Sequence, residues 1–129
     1  QCSVIKGEKK KSFIDKYLSQ NRAESGIIYT ATRKEADQLY NSLLKQGIKV
    51  GKYHAGMTEN ERKAAQEAFL FDNLSVMVAT NAFGMGIDKS NVRFVIHHNL
   101  PKNMESYYQE AGRAGRDGEE SDCFVLFSP

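Results

Sequence analysis

Two kinds of hydrophobic spacing alternate along this chain. Short, continuous apolar runs are typical of buried strands, and between them apolar side chains recur at every third or fourth position, as in amphipathic helices. Helices between successive strands imply right-handed crossovers, so the pattern predicts an α/β fold in which a mainly parallel sheet carries helices on both faces. The predicted strands cover residues 3–5, 26–30, 48–54, 76–80, 92–97 and 122–127.

The clearest helix signals are two capping boxes, in which a threonine is followed three positions later by a glutamate. Thr32 with Glu35 and Thr58 with Glu61 each precede an apolar pattern of helical period. Such a pair satisfies two backbone N–H groups at the start of a helix, so both threonines should mark helix starts. Helices are predicted over about residues 8–20, 32–47 and 58–71, and from Asn103 onward.

Candidate ligand-binding residues follow the predicted strands, because open parallel sheets bind ligands at the carboxyl ends of their strands. The loop after the strand at 26–30 brings Thr30, Thr32 and Arg33 to a helix N-terminus. Two hydroxyls, a cation and free backbone N–H groups suit a nucleic-acid phosphate. Thr32 also has a simpler role as a helix cap, and the two roles are compatible.

Three histidines lie at predicted strand ends. The loop around Gly56 could offer backbone N–H groups to an anion, and His54 beside it is better interpreted as a structural hydrogen-bonding residue than as a catalyst. His97 and His98 are consecutive in a strand and therefore point to opposite faces. We expect one of them in the core, the other near the edge of the sheet, and no metal site.

The segment 80–89 follows another strand and contains Thr80, Gly84, Gly86 and Asp88. Glycines allow close approach of the backbone to a ligand, and a following aspartate can accept hydrogen bonds from ribose hydroxyls. The same residues would also suit a tight turn in which the glycines adopt positive φ and the aspartate caps the next element. The local pattern favours neither interpretation.

The segment 107–118 places Gln109, Arg113 and Arg116 within an arc of roughly 60° on a helix. Gly112 and Gly115 each cost about 1 kcal/mol relative to alanine inside a helix, which suggests close approach of another surface. An arginine presents a fork that matches phosphate oxygens, as an arginine finger requires during phosphoryl transfer. The alternative is a solvated basic helix end.

Composition narrows the choice of partner only slightly. The 129 residues are 40% hydrophobic, enough for the core of one domain, and 18 basic against 16 acidic residues give a net charge of +2. A nucleic acid would therefore be bound by a local patch. No apolar run approaches the ~18 residues of a membrane span, so no membrane partner is expected. The two cysteines form no Cys-x-x-Cys or Cys/His cluster, which excludes a zinc motif.

Two motifs of nucleotide hydrolases are missing from the sequence. It has no Gly-x-x-x-x-Gly-Lys-[Ser/Thr] phosphate loop and no Asp-Glu pair to hold Mg²⁺ and position water. The chain thus has residues that could stabilise a triphosphate but lacks those that would cradle it. This combination indicates half of an active site.

Together, the segments 25–32, 53–57, 78–89 and 107–118 resemble, in order and spacing, the motifs of the RecQ helicases of helicase superfamily 2. The likeness covers about residues 26–129 and looks closest to a bacterial RecQ. It rests above all on the strings Phe-Gly-Met-Gly-Ile-Asp and Gln-Glu-Ala-Gly-Arg-Ala-Gly-Arg-Asp-Gly. The resemblance implies that residues 1–129 are a single RecA-like helicase C-terminal domain, the second of the motor, excised from a longer helicase.

The resemblance also implies roles for individual residues. Arg116 would be the arginine finger, with Arg113 beside it and Gln109 orienting the cleft, while Gly86 and Asp88 would face the nucleotide. Phosphates of the tracked DNA strand would be held by residues of three loops: Thr30, Thr32, Arg33, Gly56 and Thr80.

By the same resemblance the cofactors are ATP and Mg²⁺, held mainly by the first RecA-like domain of the same polypeptide. The partners would be that domain and single-stranded or duplex DNA, which members of the family unwind 3′ to 5′. The protein would act in the cytoplasm, associated with the bacterial nucleoid. The isolated chain should have negligible ATPase activity. Two alternatives stay open: a non-catalytic RecA-like module that binds nucleic acid or nucleotide, and half of a DEAD-box-type RNA helicase.

Overall fold

The computed structural model describes residues 3–6, 9–22, 24–80, 91–99 and 122–127. Within these ranges the strands are β1 (Ser3–Lys6), β2 (Ser25–Tyr29), β3 (Val50–Tyr53), β4 (Val76–Ala79), β5 (Val92–His97) and β6 (Asp122–Phe127), and the helices are α1 (Lys10–Gln20), α2 (Arg33–Lys45) and α3 (Glu59–Leu70). The predicted helix from Asn103 lies outside the described residues.

The strands form one sheet in the order β1-β6-β5-β2-β4-β3, and every described pairing is parallel. Strand β2 is central: Ile28 is in register with Val78 of β4 on one side and with Ile96 of β5 on the other. All residues of β2 and β4 are buried, as expected for strands covered on both faces.

Helices cover both faces of the sheet, which gives three layers. Helices α1 and α2 pack on one face, where Ile14 and Leu43 join the core around Ile28. Helix α3 packs on the other, where Phe69 meets Met77 and the neighbouring side chains of β2 and β5. Consecutive strand residues point alternately to these two cores. The predicted α/β architecture, a parallel sheet between two helical layers, is confirmed.

Helices α2 and α3 begin where the capping boxes predict. The Thr32 side chain accepts a hydrogen bond from the Glu35 N–H at 3.1 Å, and Thr58 and Glu61 form both bonds of a complete capping box. Helix α1 begins after Lys9, whose side chain makes no capping hydrogen bond, two positions later than the predicted start at residue 8. The two boxed starts were thus the best defined by the sequence.

The end of α2 shortens the next strand. Gly47 adopts a positive φ of 79°, and the Ile48 N–H donates to the carbonyl of Leu43 at 3.2 Å, which folds the chain back on the last turn of the helix. Gly47 therefore ends the helix as predicted. Because Ile48 still belongs to this turn, β3 begins at Val50, later than the predicted start of the strand at residue 48.

Candidate nucleic-acid interface

The loops after β2, β4 and β3 lie side by side at the carboxyl edge of the sheet. The Thr30 N–H donates to the carbonyl of Ala79 at 2.8 Å, and the Thr80 N–H donates to the carbonyl of Tyr53 at 3.3 Å. These bonds continue the strand ladder by one residue beyond the strands themselves. Thr30, Thr80 and the turn that begins at His54 are therefore brought to one edge, as the topology of the predicted sheet required.

The hydroxyls of Thr30 and Thr32 form hydrogen bonds within their own loop. The Thr30 hydroxyl is buried and donates to the carbonyl of Thr32 at 3.1 Å. The Thr32 hydroxyl accepts from the Glu35 N–H and donates to the Glu35 carboxylate, each at 3.1 Å. Both threonines thus shape the start of α2, and the capping role considered for Thr32 is the one that the structure shows.

The start of α2 still carries groups that suit an anion. The Arg33 side chain is exposed, and the backbone N–H groups of Arg33 and Lys34 belong to the first turn, where an α-helix has no internal acceptor for them. The positive end of the helix dipole lies at the same point. Arg33, Lys34 and the first turn therefore form a compact cationic feature next to the loop.

Asn99, just beyond β5, braces this loop from the other side. Its side-chain oxygen accepts a hydrogen bond from the Ala31 N–H at 3.0 Å, and its amide donates to the Glu35 carboxylate at 3.2 Å. The His98 Nδ1 lies 3.5 Å from the same carboxylate. The pairing of Asn99 with Glu35 was not predicted from the sequence, and its only signal was a polar side chain two positions after the end of a strand.

The surroundings of this loop shift the pKa values of both Glu35 and His98. Burial acts to raise the pKa of Glu35, but hydrogen bonds from Asn99 and Thr32 and the charges of His98 and Lys10 outweigh it and lower that pKa below its usual value. Burial, with the charge of Lys10, lowers the pKa of His98. Near neutral pH the loop is therefore held by an ionised Glu35 beside a mainly neutral His98.

The turn after β3 is organised by His54, whose side chain is buried. Its Nδ1 accepts a hydrogen bond from the Gly56 N–H at 3.0 Å, and its Nε2 lies 2.9 Å from the Asp37 carboxylate. Since a backbone N–H only donates, Nδ1 must be the acceptor and Nε2 must carry the proton. His54 is thus the structural hydrogen-bonding residue that the sequence indicated.

A further contact, from Lys52, holds Asp37 in place. Lys52 donates to the same carboxylate oxygen at 3.1 Å and lies over the ring of Tyr40, 5.0 Å from its centroid. Hydrogen bonds from His54 and then Lys52 lower the pKa of Asp37. The carboxylate is therefore ionised and fixes the tautomer of His54 at neutral pH.

Gly56 brings the two neighbouring loops into contact. A Cβ atom placed on Gly56 would lie 3.0 Å from His54 Cε1 and 3.3 Å from Arg33 Cδ. The stem of Arg33 therefore passes close to the Gly56 backbone, where a side chain would fit only if its neighbours shifted by a few tenths of an ångström. The Gly56 N–H, predicted from the sequence to be available to an anion, instead donates to His54 Nδ1.

The predicted nucleotide-facing residues lie outside the described residues: Gly86, Asp88, Gln109, Arg113 and Arg116. Their roles remain predictions. In the described ranges, no group of three or more His, Cys, Asp or Glu side chains is placed to hold a metal ion. Helices long and apolar enough to cross a bilayer are also absent from those ranges.

The class of protein follows from the sheet, its carboxyl edge and the family comparison. The sequence model of one protein family, the helicase conserved C-terminal domain, matches residues 9–118. The chain belongs to this family. The same fold occurs in the DEAD-box protein SrmB of E. coli, with a TM-score of 0.86 and 23% identity over 97% of this chain and 75% of that one. A DEAD box protein from Methanococcus jannaschii also has a TM-score of 0.86, at 25% identity over 99% of this chain and 35% of that one.

Within this class the sequence is of the RecQ type, as the resemblance predicted. The chain is 63% identical over 126 residues to the ATP-dependent DNA helicase RecQ of Bacillus subtilis, a match that covers 98% of this chain and 21% of that protein. It is 47% identical over 115 residues to the RecQ-like DNA helicase blm-1 of Caenorhabditis elegans, covering 89% of this chain and 12% of that one. The chain thus spans about a fifth or less of the length of these relatives.

Proposed function

We propose that this chain is the second motor domain of an ATP-dependent DNA helicase that moves 3′ to 5′ along one strand. The observation that carries the proposal is the 63% identity with Bacillus subtilis RecQ, which extends over 126 of the 129 residues. That alignment spans both the carboxyl-edge loops and nearly all of the arginine-containing segment. The domain would contribute one wall of an ATP site and a surface for single-stranded DNA.

On the ATP side, Arg116 acts as the arginine finger and Arg113 lies beside it. Gly86, Asp88 and Gln109 face the nucleotide. ATP and Mg²⁺ are held mainly by the first RecA-like domain, because this sequence has neither a phosphate loop nor an acidic metal-binding pair. The arginines would stabilise charge that develops on the transferred phosphoryl group, beside the Mg²⁺ that the first domain would hold. The chain alone is therefore expected to be inactive as an ATPase.

On the DNA side, the geometry supports unequal roles for the five residues proposed to hold phosphates. The exposed Arg33 side chain and the first N–H groups of α2 make the direct contact. Thr30 and Thr32 shape the loop through their own hydrogen bonds, and Gly56 supports the Arg33 stem. Thr80 lies at the same edge. Contacts of this kind position a strand without reading its bases.

A chimeric helicase tests the arginine finger. The segment of Bacillus subtilis RecQ that matches this chain is replaced by residues 1–129, and DNA-stimulated ATP hydrolysis is measured for the chimera. We expect Arg116→Ala to lower kcat about 10³-fold or more, since an arginine finger contributes 10³ to 10⁵ in rate. Arg116→Lys should recover little, because lysine lacks the planar fork.

The matched control is Arg22→Ala, which removes an exposed arginine at the end of α1, near the amino ends of the strands. This variant should hydrolyse ATP as fast as the unmodified chimera. If the chimera is active and Arg116→Ala is equally fast, the assignment of Arg116 is wrong. The isolated chain, assayed in parallel, should show no ATPase above the buffer rate.

The fold match to DEAD-box proteins supports a second candidate, half of an RNA helicase. The sequence favours the DNA helicase, because identity reaches only 23% to 25% with these DEAD-box structures but 63% with Bacillus subtilis RecQ. The two candidates predict different preferences at the carboxyl edge. Half of an RNA helicase should prefer single-stranded RNA, whereas the DNA helicase domain should accept DNA equally well. A third candidate, a binding module without turnover, leaves Arg113 and Arg116 without a phosphoryl group to stabilise.

A further inference from the structure

A continuous series of contacts joins the Asp37 carboxylate to the Arg33 side chain. Asp37 lies 2.9 Å from His54 Nε2, His54 Nδ1 accepts the Gly56 N–H at 3.0 Å, and a Cβ atom placed on Gly56 would lie 3.3 Å from Arg33 Cδ. Asp37 and Arg33 both belong to α2, whereas His54 and Gly56 belong to the turn after β3. The series thus ties one loop of the carboxyl edge to the next.

Histidine suits this position because its two ring nitrogens act in opposite senses. The neutral ring accepts at Nδ1 and donates at Nε2, and both sites lie in the plane of one rigid ring and point in different directions. The His54 side chain is only 7% exposed, while its partner Asp37 keeps 44% of its own side chain exposed. An ionised Asp37, itself held by Lys52, selects the tautomer that leaves Nδ1 free to accept.

The bond at Nδ1 determines where Gly56 lies. The His54 carbonyl also accepts the Met57 N–H at 3.1 Å, so side chain and backbone of His54 together close the turn. Without the Nδ1 bond, only the backbone bond from Met57 would close the turn, and Gly56 could shift from its place beside His54 and Arg33. The Arg33 stem would then lose the surface on which it rests.

We propose that His54, held by Asp37, is a positioning residue that fixes the Arg33 side chain for its contact with a nucleic-acid phosphate. The proposal rests on the proposed function of Arg33 as a DNA contact. His54 itself touches no phosphate. It acts by presetting the direction of Arg33, so that less conformational freedom is lost when the strand binds.

Two substitutions at His54 separate its two hydrogen bonds. In His54→Asn the Oδ1 atom takes the place of Nδ1 and accepts the Gly56 N–H, as in an Asx turn. In His54→Gln the longer amide reaches Asp37 but leaves the Gly56 N–H without its acceptor. Affinity of the chain for a fluorescent oligothymidine is measured by anisotropy at low salt.

We expect His54→Asn to bind within about twofold of the unmodified chain. His54→Gln should bind about fivefold more weakly, as Arg33→Ala should, which is the effect of losing one exposed ionic contact. In the Arg33→Ala background, His54→Gln should weaken binding no further, because its effect passes through Arg33. Lys45→Ala, at the far end of α2, removes the same charge and should leave affinity unchanged.

The outcomes distinguish this inference from the function on which it rests. If Arg33→Ala binds as tightly as the unmodified chain, the assignment of Arg33 fails and the inference fails with it. If Arg33→Ala weakens binding but His54→Gln does not, or if the two effects add, only the positioning role is overturned. Thermal unfolding confirms that each variant is folded.

A spectroscopic measurement keeps the inference testable should His54→Gln fail to fold. Long-range ¹H–¹⁵N NMR of the unmodified chain reports which ring nitrogen carries the proton. We expect a proton on Nε2 and an unprotonated Nδ1 for His54, and the same spectrum of Asp37→Asn should show this preference weakened. The opposite tautomer in the unmodified chain would overturn the proposal, because Nδ1 could then not accept from Gly56.

Discussion

At the scale of single residues, the two consecutive histidines show what strand alternation can and cannot predict. The sequence predicted one buried and one near the edge, and the structure confirms it: His97 is 2% exposed, whereas His98 is only half-buried. His97 stacks on Tyr29 with ring centroids 5.5 Å apart. Which histidine would be buried depends on the face that α3 covers, and the alternation alone does not contain that information.

Burial of His97 makes the fold sensitive to acid. Burial lowers its pKa from 6.5 to about 4, so below pH 6.5 the unfolded chain binds a proton that the folded chain excludes. The contribution of His97 to the free energy of unfolding is therefore at its full value above about pH 6.5. It is lost progressively as the pH falls towards 4. At pH 4.5 this should lower the free energy of unfolding by about 2 to 3 kcal/mol relative to pH 7.

His97→Phe keeps a ring against Tyr29 but has no group to protonate. Urea unfolding at pH 7 and pH 4.5 should show a smaller loss of stability for this variant than for the unmodified chain. Glu35, Asp37 and His98 titrate in both proteins, so their contributions cancel in the comparison. Equal losses in the two proteins would show that His97 does not contribute.

At the scale of secondary-structure elements, prediction succeeded where the signal was local. The capping boxes of α2 and α3 and the glycine that ends α2 act over three or four residues, and each appeared where it was predicted. Element ends without such a signal were displaced, as at the start of α1. The order of the strands was not predictable, because the pairing of β1 with β6 joins opposite ends of the chain.

The start of α1 lacks the interactions that stabilise the other two helices. Lys9 occupies the N-cap position without a capping hydrogen bond, and the first turn contains no acidic residue. Lys9→Asp would supply an acceptor for the free N–H groups and a negative charge at the positive end of the helix dipole. We expect the free energy of unfolding to rise by about 1 kcal/mol in urea titrations.

Lys16→Asp is the matched control for this prediction. It changes the charge of the same helix by the same amount, at an exposed position well inside α1. No capping group is gained there, so stability should not rise. An equal gain in both variants would attribute the effect to overall charge rather than to capping.

At the scale of the whole molecule, the sequence located the candidate site but not its internal bonds. Thr30, Thr80 and Gly56 were predicted at one edge because parallel strands end together, and the structure brings their loops together there. The bonds that Asn99 makes to Ala31 and Glu35 span 68 and 64 positions along the chain. The engagement of Gly56 by His54 was likewise not predicted, because it depends on the side-chain positions of a folded turn.

The final prediction concerns the nucleic-acid contact proposed for the whole carboxyl edge. A net charge of only +2 means that attraction must come from the local cations of the carboxyl edge, through release of counterions from phosphates. Binding of the chain to oligothymidine should therefore weaken steeply with salt, with a log–log slope of about −0.7 for each phosphate contacted. Arg33→Ala should make the slope shallower by about 0.7, the contribution of one phosphate contact. Oligothymidine and mixed-sequence DNA should bind alike, whereas salt-independent binding, or a marked preference for single-stranded RNA, would contradict a DNA-tracking surface that reads phosphates alone.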